Sequence, residues 1–300
     1  MSDAPATGGT LEEGLVASFV AALRTRFGSH LRAVLLYGSY VRGKRDTVLD
    51  FYVLLDSYAA LPRLQRWANQ LLAPNVYQLT VVYDQTAAAA KFATVTLDRF
   101  AHAIQTDVHP YFWARFAQPF LVAYAGDAAV AARIEALARV AAGRMIASTA
   151  PLLADPFSSA ELWQRAFALT YSCELRAEDS AAGARLYAAY AGALDAVISA
   201  SAGELGLEED RCGRWHRKAA AIGRAQAANR WRRRRLLGKS FAVARLLKAA
   251  FTFNDPLGYV VWKVARHSGV TVVPSTRARR HPLLFGWGVL WELYRKGGFR

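Results

Sequence analysis

Leu35-Leu36-Tyr37-Gly38-Ser39-Tyr40-Val41-Arg42-Gly43, followed after a polar connection by Leu49-Asp50-Phe51-Tyr52-Val53-Leu54-Leu55, decides the reading of this chain. The apolar run 33–37 stops at Gly38-Ser39, and 51–55 is a second short apolar run, so the pattern predicts two strands joined by a polar, basic connection. A glycine at the end of such a strand leaves the backbone open to close approach. Backbone N–H groups and a serine hydroxyl at the same turn make a cradle for an anion. Arg42 stands three residues past Ser39, within reach of that anion, and Gly43 lets the chain leave the turn.

Outward from this centre, Leu11, Leu15, Phe19, Ala22, Leu23 and Phe27 recur at helical spacing over 11–27. Beyond Asp50 come a helix over about 62–72, a break at Pro74-Asn75, a strand over 76–83 and a short extended segment near 93–96. Asp98 is expected to open the next helix as its N-cap. From Gly126 onward the pattern changes to long alanine-rich helices, interrupted at Pro151, Pro156, residues 180–183 and Pro256. This predicts two domains, 10–125 with alternating strands and helices and 126–300 all-helical. Three hundred residues are enough for each to bury a core.

Charge is the most informative part of the composition. Residues 211–300 carry 21 of the 38 Lys and Arg but only two acids, Asp255 and Glu292, a net of +19 within a chain whose total is +15. Such asymmetry points to a polyanionic partner, an anionic bilayer or a nucleic acid. Two cysteines, Cys173 and Cys212, define neither a disulfide framework nor a cysteine metal site. No window reads as a membrane span, and the first residues lack signal and transit patterns, so the expectation is a cytoplasmic protein, peripheral on a membrane.

The cradle and its downstream acid form the pattern used by nucleotidyltransferases. There an acidic strand residue holds Mg²⁺, which bridges the phosphates of a nucleoside triphosphate. Asp50, twelve residues after Gly38, is that acid, and the common second acid of an Asp-x-Asp pair is replaced by Tyr52. Asp56 and Asp84 are candidates for a supporting carboxylate. His109, before Pro110, reads as a loop residue.

A Gly-Ser turn followed by Leu49-Asp50-Phe51-Tyr52 resembles the mitochondrial-type CDP-diacylglycerol synthases, also called translocator assembly and maintenance proteins. Trp67 and Asn75 fall where that family has its Trp-His to Asn-Pro segment. Lys91-Phe92-Ala93-Thr94-Val95, Phe112-Trp113-Ala114-Arg115 and Leu169-Thr170-Tyr171-Ser172-Cys173-Glu174-Leu175-Arg176 are similar to further family segments, and the stretch from Leu247 through Tyr259 and Lys263 to the last one. The likeness is scattered over roughly 35–265. It implies an α/β (α+β) nucleotidyltransferase domain with a mixed sheet, followed by a helical, strongly basic domain. It implies catalytic roles for Asp50, Lys91 and Arg115, a nucleotide cradle of Gly38, Ser39, Arg42 and Gly43, and polar site positions at Glu174 and Arg176. It also implies CTP and phosphatidic acid as substrates, with Mg²⁺, giving CDP-diacylglycerol and pyrophosphate at a membrane surface.

Within the basic third, Trp231 amid Arg232, Arg233, Arg234 and Arg235 suits a bilayer interface, and stacking on nucleic-acid bases is the less favoured reading. The apolar tail 283–291 is either helical core or a segment that dips into the membrane. A second use of the whole chain is a nucleotidyltransferase-like module without turnover, binding RNA or an anionic membrane.

Overall fold

In a computed structural model the chain is described over residues 13–45, 47–174, 181–218, 222–252, 257–258, 261, 264–265, 268–280 and 282–297. It is an α/β protein built on a mixed five-stranded sheet. The order of strands is β3-β4-β2-β1-β5, from β1 (Leu31–Tyr37), β2 (Leu49–Leu55), β3 (Asn75–Tyr83), β4 (Thr86–Thr96) and β5 (Leu121–Ala125). Only β2 and β4 run parallel; the other neighbours are antiparallel.

The central strands are apolar without alternation because helices cover both faces of the sheet. Successive side chains still point to opposite sides. Val34, Leu36, Phe51, Val53, Leu55 and Phe92 meet α1 (Glu13–Phe27) through Leu15, Phe19 and Leu23. Ala33, Leu35, Tyr52, Leu54, Ala93 and Val95 meet the other side, with α3 (Leu97–Gln105), α4 (Trp113–Phe116) and α5 (Ala128–Thr149). The α2 helix (Arg63–Leu71) buries Ala68 and Asn69 and leaves Leu64, Trp67 and Leu71 exposed.

Several sequence expectations are corrected in detail. The segment near 93–96 is the end of an eleven-residue strand, because four alanines and a following Lys-Phe-Ala-Thr-Val run are paired along β3 and β2. Asp98 lies in the first turn of α3, whose cap is Thr96, its side chain accepting from the Arg99 N–H at 3.2 Å. After Gly38, residues 39–43 form successive turns, with Ser39 O accepting from Arg42 N and Lys44 N.

The second half adds α6 (Ser159–Tyr171), α7 (Ala182–Ser201), a hairpin of β6 (Leu207–Glu209) and β7 (Trp215–Arg217), and α8 (Arg224–Thr252). The hairpin departs from the all-helical expectation for this region. One buried cluster runs from Ala33 through α5, α6 and α7 to Trp231, so packing is continuous across residue 126. A smaller cluster, including Leu257, Val261, Val289 and Leu293, gathers around α9 (Thr276–Arg280) and α10 (Pro282–Arg295). Helix α10 therefore buries one face, while Phe285, Trp287, Trp291 and Tyr294 remain exposed. No described helix is long and apolar enough to cross a membrane.

Candidate active site

β1 ends at Tyr37 and β2 begins at Leu49, and their antiparallel register pairs Tyr37 with Asp50. Gly38, the next residue, takes φ +90°, and a β-carbon on it would sit 3.4 Å from Asp50 Oδ2. Glycine is required here for its left-handed backbone. Gly43 also has positive φ, +85°. Between them Ser39 Oγ donates to Thr47 Oγ1 at 3.0 Å, which orients the hydroxyl beside the turn.

A cavity of about 260 Å³ opens at this end of the sheet. Its floor is Gly38, Ser39, Arg42 and Asp50; one wall is the segment from His109 to Pro119, including Tyr111 and Arg115; the other is Thr170, Tyr171 and Glu174 from the end of α6 and just beyond it. Residues from three separated stretches thus converge, and Gly38, Ser39, Arg42, Asp50, Arg115 and Glu174 share one hollow. Burial raises the phenol pKa of Tyr190, at a break in α7, and Arg42 beside it acts against that shift.

Arg115 is the electrostatic centre. Its Nη1 donates to the Tyr52 hydroxyl at 2.8 Å, its guanidinium lies 4.5 Å from the Tyr111 ring centroid and 5.4 Å from that of Tyr37, and Glu174 Oε1 is 3.8 Å away. Burial alone would lower the guanidinium pKa, but Tyr52, Tyr111, Tyr37 and Glu174 outweigh it, so Arg115 stays a fixed cation. Tyr52 is fully buried, and burial pushes its phenol well above the ordinary 10, with Arg115 acting against the shift. At the position of a second acid the chain therefore presents a neutral hydroxyl tied to a cation. Burial would also raise the Tyr111 phenol, but Arg115 and Arg245, the latter 3.8 Å from its ring centroid, outweigh it and lower its pKa.

The remaining candidates lie elsewhere. Lys91 is the register partner of Asp50 on β4, so both side chains leave the same face of the sheet, but Lys91 does not line the cavity. Asp56 is at the opposite end of β2, about 20 Å along the strand, where its carboxylate meets His30 Nδ1 at 2.9 Å. Asp84 and Gln85 are the two central residues of the β3–β4 hairpin turn, both with positive φ. Asp84 is there for the geometry of that turn, outside the cavity. Arg176 lies outside the described residues.

Trp231 is 2% exposed. It packs edge-on against Trp113 at 6.0 Å and donates its indole N–H to Ser148 O at 2.9 Å, so it belongs to the core and not to an interface. Arg234 is stacked on both tryptophans, whereas Arg232, Arg233 and Arg235 are exposed.

His109, read from sequence as a loop residue, lines the cavity and is 8% exposed. Its Nδ1 accepts from the Tyr111 N–H at 3.1 Å, and burial depresses its pKa from 6.5 to about 4, so it is neutral near pH 7. The dense aromatic run that follows His109-Pro110 was the one signal that this segment is held inside the fold.

The donor set fits a magnesium ion in one respect. Asp50 supplies a carboxylate beside the turn, and Mg²⁺ is commonly held by one or two carboxylates together with substrate phosphates. Among the described residues no cluster of three His, Cys, Asp or Glu forms a complete protein cage. No protein-family model matches the chain, and no curated protein matches it.

Proposed function

We propose that this protein is a nucleotidyltransferase that moves CMP from CTP to phosphatidic acid, releasing pyrophosphate and forming CDP-diacylglycerol at a membrane surface. The observation that carries the reading is the convergence of Gly38, Ser39, Arg42, Asp50, Arg115 and Glu174 in one cavity at the end of β1 and β2. The transfer itself is supported by that chemistry; CTP and phosphatidic acid come from the family resemblance.

A phosphate oxygen of the acceptor attacks the α-phosphorus of CTP, forming the new P–O bond. The bond from that phosphorus to the bridging oxygen breaks, and pyrophosphate leaves with the electron pair. The acceptor is already anionic, so no strong general base is needed. The open backbone at Gly38 and the Ser39 hydroxyl would receive the triphosphate, with Arg42 and Arg115 countering its charge. Asp50 would hold Mg²⁺, whose chemistry is to neutralise phosphate charge at the reacting centre. Glu174 and Tyr52 fix the guanidinium of Arg115 from two sides, so its charge is preorganised.

The test has two steps. CTP with magnesium should raise the melting temperature, and phosphatidic acid added next should release pyrophosphate. Stabilisation by CTP without pyrophosphate release from lipid would remove the acceptor assignment. No stabilisation by any of the four nucleoside triphosphates would remove the nucleotide site altogether.

A further inference from the structure

Behind the wall formed by His109 and Tyr111 lies a second cavity, also about 260 Å³, between α5 and α8. Arg144 and Ser148 line it from α5, and Arg230 and Arg234 from α8.

Three guanidiniums meet here, and among the described residues none of them has a carboxylate at ion-pair distance. The acid nearest in effect is Asp107, and both of its oxygens are taken by Arg99, at 3.0 and 2.7 Å. Arg144 donates to the carbonyls of Ile104 and Asp107, and Arg234 Nε to that of Val108 at 3.2 Å. Among the described residues this leaves both Nη groups of Arg234 without an acceptor, and Arg230 without any hydrogen bond. Burial, and after it the charge of Arg144, lower the Arg234 guanidinium to about 10. Positive charge has been concentrated at a half-enclosed hollow without its counter-charge.

We propose that the cavity lined by Arg144, Ser148, Arg230 and Arg234 binds a phosphate group, as the free anion or as the head of an anionic lipid. Planar guanidiniums with parallel donors match phosphate oxygens. The carbonyls that Arg144 and Arg234 hold belong to the segment leading into His109 and Tyr111. An anion at the rear therefore braces the wall of the front cavity. The proposal does not depend on what the front cavity does.

Arg230 makes no hydrogen bond within the described fold, so Arg230→Gln is the variant of choice, and Arg234→Lys is the second, keeping charge while losing the fork. Titration of the full chain with inorganic phosphate by calorimetry should show binding weakened about tenfold or more in Arg230→Gln and unchanged in Arg24→Gln, an exposed cation of α1 on the opposite face of the sheet. Phosphatidylcholine vesicles, with and without phosphatidic acid, form the other arm. Loss of binding to the acidic vesicles alone in Arg230→Gln assigns the site to a lipid head, and loss of inorganic phosphate alone to the free anion. If both rear variants bind phosphate and acidic vesicles as the parent does, or if Arg24→Gln weakens phosphate binding as far as Arg230→Gln does, the rear site is overturned.

Discussion

At the scale of single residues, Asp50 is the sharpest test. Its carboxylate lies beside the Gly38 turn and lines the cavity, so Asp50→Asn should cut nucleotide transfer by about 10²–10³-fold or more while circular dichroism stays unchanged. Ser39→Ala should weaken triphosphate binding about tenfold, because the backbone donors of the turn remain. A loss with Ser39→Ala as deep as that with Asp50→Asn would contradict this division of labour. His109 gives a pH signature. Its folded pKa, about 4, lies below the ordinary 6.5, so the unfolded chain takes up the proton first as pH falls. Stability should therefore be constant above about 6.5 on this account and decline from there through about 4. His109→Phe should flatten that decline in melting temperature against pH.

The elements differ in how far the sequence exposed them. β1 and β2 were legible because their apolar runs stop at Gly38 and start beside Asp50, and the register between them brings those two residues together. β5 and the β6–β7 hairpin were not, since short strands carry little pattern of their own and are fixed by tertiary pairing. Ala227, Trp231, Arg234 and Gly238 recur at i, i+4, i+7 and i+11, one face of α8, so the buried setting of Trp231 was in the spacing, masked by the run of arginines around it. The meeting of Arg115 with Tyr52 and Glu174 had no sequence signal apart from the family likeness, because three distant segments supply it. On α8, a β-carbon at Gly238 would sit 2.2 Å from the carbonyl oxygen of Cys173 and 2.8 Å from His109 Nε2. Gly238→Ala should then lift the helix off the cavity wall, at about 1–3 kcal/mol or more in denaturant unfolding. An unaffected midpoint would show that α8 seats differently.

For the whole molecule, the basic third retains an exposed set after Trp231 and Arg234 are assigned to packing. Arg232, Arg233 and Arg235 face outward on α8, as do Trp287 and Trp291 on α10. Binding to vesicles should need anionic lipid and fall with salt, at about 1 kcal/mol per cation near the surface, screened over about 8–10 Å. The triple change of Arg232, Arg233 and Arg235 to Gln should weaken vesicle binding and leave CTP affinity intact. Unchanged vesicle binding together with lost RNA binding would favour nucleic acid as the partner.

The continuous core across residue 126 also governs how a substrate meets the protein. The floor of the front cavity comes from β1 and β2, one wall from the 109–119 segment and the other from the end of α6, and the same buried cluster ties all three. Enclosure by two lobes swinging about residue 126 would have to tear that cluster apart. On the proposed function, the nucleotide would arrive at a receptacle already in shape. In rapid mixing its association should follow a single exponential whose rate climbs in proportion to concentration, with no plateau from a slow isomerisation.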